Sequence, residues 1–300
     1  MKRVFTFIVV VFVFIPVVVN AGTVDVLKED LLSSGMQSFP DVSTEHHNYL
    51  AVEWMSDEGT IQGYQDGTFG PDLSVNRAEL MKMVVLMGVD NVDESYANCF
   101  PDVKDEWFAR YVCYANEMGW IDGYPDGTFK PGNNVNRVEA LKIILNATIP
   151  ADQWPDPTEV DMDVEMPVDF DMEAWYGGYV RFAIVKELVD EWHMTENQDG
   201  SLNYYPSGDF TRKEVAEMLF RIMIYRLERE DYVFNMAGSI CYYVDNQEAM
   251  SEAELETGVI QLFEDNGYTE AEMDALTLKY EMDNVVQDSI EEKVSEMCGT

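Results

Sequence analysis

Apolar residues return at steps of three and four along two stretches that lie 60 positions apart. Residues 77–88 carry Leu80, Met83, Val84 and Met87 on one side, and residues 137–147 carry Leu141, Ile144 and Leu145 on the matching side. Each stretch predicts a helix that buries a single stripe. Both starts are marked: Asn76 can accept as N-cap while Glu79 reaches back to the cap's own amide, and Val75 and Leu80 flank the cap as a hydrophobic staple. Asn136, Glu139 and Val135 repeat that start. A shorter helix precedes each long one. Trp107, Phe108, Tyr111, Val112, Ala115 and Met118 predict its buried face, with His47 to Met55 as the counterpart. Gly59 and Gly119 supply a left-handed stop before Ile61 and Ile121 begin the return.

Between short and long helix the chain writes one motif twice, GYQDGTFGPDLSVNRAE from Gly63 to Glu79 and GYPDGTFKPGNNVNRVE from Gly123 to Glu139. Asp66 with Gly67, and Asp126 with Gly127, make a tight turn; Phe69 and Phe129 place an apolar plug beyond it; Pro71 and Pro131 hold off the next helix. An FPDV segment opens each copy at Phe39 and Phe100. A period of this size predicts one supersecondary unit that stacks on its copies because none can bury its apolar face alone.

A third, divergent copy follows. Trp175, Tyr176, Tyr179, Val180, Phe182 and Ala183 repeat the spacing of Trp107 to Ala115, and Phe210, Thr211 and Glu214 restate the staple and the capping box. The loop from Glu196 to Ser207 keeps Asp199 and Gly200 but not the GY and TF elements. The predicted organisation is a leader at 22–38, repeats at 39–90, 99–149 and 174–227, and an extended acidic, proline-rich connector at 150–173. A calcium loop is the sharper reading of that connector, but the DxDxDG spacing is absent. From residue 228 the pattern changes. Ser251 with Glu254 and Thr269 with Glu272 open helices of 252–264 and 270–297, separated by Asn266 and Gly267, an acidic helical hairpin. The fold class is mainly α.

Lys2 and Arg3, the apolar run Val4–Val19 and the small residues to Ala21 predict a secretory signal over 1–21, an uncleaved anchor being the weaker reading. Loss of Lys2 and Arg3 takes the formal net charge from -38 to -40. Such a field repels nucleic acid and anionic membranes, so neither is a predicted partner. In an exported chain the four cysteines are expected to pair. Of three connectivities the local one, Cys99–Cys113 with Cys241–Cys298, keeps each bond inside one predicted unit and contributes about 3 and about 4 kcal/mol; four reduced thiols are the alternative.

FPDV, a helix, GYxDGTFxP and a V-N/T-R-x-E helix start resemble the S-layer homology module, over about 39–226. The resemblance implies three helix-loop-helix repeats in a three-pronged spindle around a pseudo-threefold axis, with grooves between prongs that bind cell-wall polysaccharide, often pyruvylated, without covalent chemistry. Arg77, Arg137 and Arg212 each occupy the first helical position, where free amides and the dipole favour an anion and a guanidinium can grip a carboxylate. The bland alternative is that each pairs with a neighbouring acid and holds its unit together. Tyr64, Tyr124, Asp66 and Asp126 are candidates to face a sugar ring, the aspartates being equally accounted for by the turn, and Lys130 adds a cation in the second loop. Trp107 and Trp175 are expected in the core, and Arg212 is expected to face an altered groove. No cofactor is predicted, and no nucleophile motif, metal-ligand cluster or phosphate loop points to an enzyme; with so many carboxylates, a pair at glycosidase separation can arise by chance. The alternative function is a self-assembling or partner-presenting surface protein.

Overall fold

The computed structural model describes residues 31–89, 91–149, 166–189, 194–280 and 283–298. The signal segment, most of the leader and residues 150–165 of the connector lie outside the described residues. The chain divides into two compact units, one ending at Tyr225 and the other built from Arg226 onward.

In the first unit, α1 (Tyr49–Asp57) leads to α2 (Arg77–Leu86), α3 (Ala109–Glu117) to α4 (Arg137–Thr148), and α5 (Gly177–Val185) to α6 (Arg212–Asn246), whose residues beyond Tyr225 belong to the second unit. Asn76 accepts from the Glu79 amide at 2.9 Å while Glu79 accepts from the Asn76 amide at 3.1 Å, and Asn136 and Glu139 do the same. Gly59 and Gly119 take the left-handed conformation (φ 76° and 74°); the third copy places Glu187 there at φ 56°, a conformation that costs a side chain more than glycine. Phe69, Phe129, Val75, Val135, Leu80, Leu141 and Ile144 are fully buried.

A closed ring of backbone hydrogen bonds joins the three long-helix starts. Val75 N–H donates to Phe210 O (2.9 Å), Phe210 N–H to Val135 O (3.0 Å) and Val135 N–H to Val75 O (3.0 Å). Three short extended segments thus pair cyclically, which is the pseudo-threefold arrangement the resemblance implies.

The third copy begins earlier than its sequence suggests. Asp169 accepts from the amides of Tyr204 and Tyr205 at 2.7 Å each, as Asp41 does from Phe69 and Gly70 (2.8 and 2.7 Å) and Asp102 from Phe129 and Lys130 (2.8 and 2.7 Å). The end of the expected connector is therefore the FPDV equivalent, disguised as Pro167-Val168-Asp169. Tyr204, 1% exposed, replaces the phenylalanine plug that seemed lost. A two-residue ladder, β1 (Thr195–Glu196) against β2 (Leu202–Asn203), pairs Thr195 with Asn203 and widens the turn.

The second unit holds the remainder of α6 with α7 (Glu252–Asp265), α8 (Glu270–Tyr280) and α9 (Asn284–Cys298). The single helix expected over 270–297 is two. Asp283 accepts from the Val286 amide at 3.2 Å, and starts α9 as a cap that periodicity alone does not reveal. Both expected disulfides are present, Cys99–Cys113 and Cys241–Cys298, with Cα atoms 5.4 and 5.5 Å apart. No helix among the described residues is long and apolar enough to cross a membrane.

Candidate functional site

The loop aspartates face their own turns. Asp66 accepts from the Thr68 amide (3.0 Å) and hydroxyl (2.7 Å), and Asp126 from those of Thr128 (3.0 and 2.6 Å). The Thr128 hydroxyl, then its amide, then Lys130 hold the Asp126 carboxyl at a pKa of about 2. Lys130 bridges to Asp126 at 3.0 Å and lies 4.1 Å over the Tyr124 ring. These three charged side chains brace the turns.

The arginines cross between repeats. Arg77 sends Nε to Phe129 O (2.8 Å) and stacks on Tyr124 and Phe129 at 4.7 and 4.6 Å. Arg212 sends Nε to Phe69 O and Nη2 to Gln62 O, both 2.7 Å, and stacks on Tyr64 and Phe69, both 4.7 Å. Arg137 sends Nη1 to Tyr204 O (3.2 Å) and pairs with Glu214. Each arginine thus enters the loop of the next repeat in a cycle, so the intact first loop meets Arg212 and the divergent third loop meets Arg137. The expectation that Arg212 faces the altered groove is corrected by this one-step shift.

The free helix-start amides are also accounted for. Arg77, Arg137 and Arg212 amides donate to Asn133, Gly208 and Leu73 carbonyls at 2.9 Å each, and those of Ala78, Val138 and Lys213 to Pro131, Pro206 and Pro71 carbonyls. An anion cannot reach donors already spent on the neighbouring repeat. Arg77 and Arg212 are 6% and 4% exposed, so the guanidinium groups have structural work that the sequence does not show.

What remains open is a pocket of about 150 Å³ between repeats, lined by Gln62, Tyr64, Glu79, Lys82, Trp107 and Arg212 among others. Trp107 is 57% exposed and Trp175 58%, which corrects their expected burial. Helices α3 and α5 begin two residues after them, so these rings precede the buried stripe rather than belong to it. Lys82 Nζ lies 6.0 Å over Trp107, and Lys142 Nζ 5.8 Å over Trp175. Lys82 donates to Gln62 Oε1 at 2.8 Å. Burial first, then the charges of Arg110 and Arg212, hold its ammonium below the ordinary lysine pKa. In a chain of formal charge -38, Lys82 thus stands near two further cations, Arg110 and Arg212, with Glu79 as the acid that lines the same pocket.

The S-layer homology domain model matches residues 38–81 and 100–141. The chain is 32% identical over 129 residues to "Cell surface glycoprotein 1" of Acetivibrio thermocellus, covering 38% of this chain and 6% of that protein. It is 30% identical over 125 residues to the "Cellulosome-anchoring protein" of the same organism, covering 39% and 28%, and 29% identical over 111 residues to "S-layer protein EA1" of Bacillus anthracis, covering 37% and 13%. The chain thus spans 28% or less of the length of these relatives.

Proposed function

Starting from residues 38–81 and 100–141 as S-layer homology domains, we propose that this chain is a non-catalytic cell-envelope protein that holds an anionic, pyruvylated cell-wall polysaccharide in its inter-repeat grooves, with residues from 166 to 225 forming a diverged third module. Relatives named for the cell surface, cellulosome anchoring and S-layers support the surface location. The observation that carries the reading is the groove formed by Tyr64, Lys82, Trp107 and Arg212, which sets an exposed indole beside the Lys82 ammonium. A sugar ring covers the indole, its carboxylate reaches the Lys82 ammonium, and Arg212, through Tyr64 and Phe69, fixes the floor.

The test is co-sedimentation with purified wall fragments. Lys82→Gln removes one charge-assisted contact, and about a tenfold loss of affinity is expected, with Trp107→Ala comparable. Both side chains stand at the groove surface, so the melting temperature stays within about 2 °C of wild type. Wild-type binding by the folded Lys82→Gln, Trp107→Ala double variant would sink the reading.

A further inference from the structure

The third inter-repeat groove differs from the other two at the lysine and tryptophan positions, and the changes match one another. Lys82 and Lys142 are the sixth residues of α2 and α4; α6 has Glu217 there. Trp107 and Trp175 stand two positions before α3 and α5; before α1 that position is His47. The next residue, Phe108 and Tyr176 elsewhere, is Asn48. Asn48 and Glu217 meet: Nδ2 donates to Oε2 at 3.0 Å, with each residue 8% exposed. Glu217 Oε1 also accepts from Arg221 Nε at 2.9 Å. The groove arginine is engaged as well, because Arg137 pairs with Glu214, whereas the equivalent glutamates Glu79 and Glu139 form no ion pair with Arg212 and Arg77.

We propose that this third groove is a latch that closes the third repeat back onto the first, and that only the first two grooves take the anionic sugar, an inference that rests on the function proposed above. A carboxylate entering the third groove meets Glu217 where the other grooves hold a lysine, beside an arginine already paired with Glu214, and His47 stands in place of the tryptophan. Arg137 and Arg221 are already committed to these two carboxylates, so a third is left uncompensated. The same exchange removes a binding cation and installs a buried hydrogen bond between segments 169 residues apart in sequence. Breaking it leaves the Glu217 carboxylate short of a donor.

Titration calorimetry of the full chain with a pyruvate-acetal methyl hexoside, one carboxylate on one sugar ring, counts the sites. Two are expected for wild type, one for Lys82→Gln/Trp107→Ala, one for Lys142→Gln/Trp175→Ala, and none when all four changes are combined. Asn48→Ala keeps two sites and lowers the melting midpoint by about 3 °C or more. A site of wild-type affinity surviving in the fourfold variant overturns the inference and leaves the proposed function standing. Failure of wild type to bind this probe overturns the pyruvylated-sugar reading itself. An unchanged midpoint in Asn48→Ala overturns the latch, whatever the calorimetry gives.

Discussion

Replacing Arg212 by lysine keeps the charge and removes the fork. One ammonium cannot serve Phe69 O and Gln62 O from the angles that Nε and Nη2 now occupy, nor lie flat on Tyr64 and Phe69. The expected cost is about 1–3 kcal/mol, read as a shift of the urea midpoint. For Arg137→Ala the loss is about 3 kcal/mol, because Glu214, 9% exposed, keeps its Thr211 bonds but loses the guanidinium it pairs with. Loss of wall binding in either variant therefore reports folding first, and the side chains that separate binding from stability are Lys82 and Trp107. An Arg212→Lys protein as stable as wild type in urea would contradict a structural role for the two-carbonyl fork.

The helices themselves were legible in the sequence because their signals are local: caps, staples, glycine stops and a stripe at steps of three and four. Asn76, Asn136 and Ser251 each start a helix as read, with the reciprocal glutamate in place. What was not legible depends on partners far along the chain. Trp107 reads as the first knob of a buried stripe, and only the observed start of α3 at Ala109 turns it outward. Lys82 and Lys142 recur at the same offset as the arginines, a usable signal in a chain with 19 basic residues, yet nothing local aims them at a tryptophan of another repeat. The one-step cycle that sends each arginine into a neighbouring loop is a property of the closed ring, not of any segment. At this scale the disulfides carry the test. Cys99–Cys113 closes a separation of 14 residues and Cys241–Cys298 one of 57, so chain-entropy reasoning assigns the second about 1 kcal/mol more. Cys241→Ser/Cys298→Ser is expected to lose about 4 kcal/mol and Cys99→Ser/Cys113→Ser about 3, by chemical denaturation without reductant. A larger loss from the shorter loop would reverse that order and refute the entropic account.

Across the whole molecule, pH acts through two sets of carboxyl groups with opposite signs. In the second unit Asp231 is 7% exposed and accepts from the Tyr268 hydroxyl at 2.9 Å. Burial, helped by Glu230 and Glu228 and opposed by the Tyr268 bond, raises its pKa to about 7. Lys279 is committed to Glu228 at 2.9 Å, and Asn235 shares the site as a neutral neighbour bonded to the Asp231 carbonyl. A carboxyl whose folded pKa stands above its unfolded value of about 3.9 contributes stability that is full below about pH 4 and lost as pH rises through about 7. The exposed turn and cap carboxylates run the other way. Asp126, at about 2, and Asp66, Asp199, Glu254 and Glu272, all lowered first by hydrogen bonds from a neighbouring serine or threonine, contribute above about pH 4 and lose that contribution as pH falls. Self-repulsion at a formal charge of -38 adds to the high-pH loss. Stability is therefore expected to peak between about pH 4 and 7 rather than above neutrality. Asp231→Asn isolates the buried term, since the amide keeps the shape and the Tyr268 contact but cannot ionise. Calorimetric melting from pH 4 to 8 should show wild type losing stability as pH rises, and the variant losing less over the same interval by the share that belongs to Asp231. Parallel curves for the two proteins would mean that Asp231 ionises in the folded state as it does in the unfolded one.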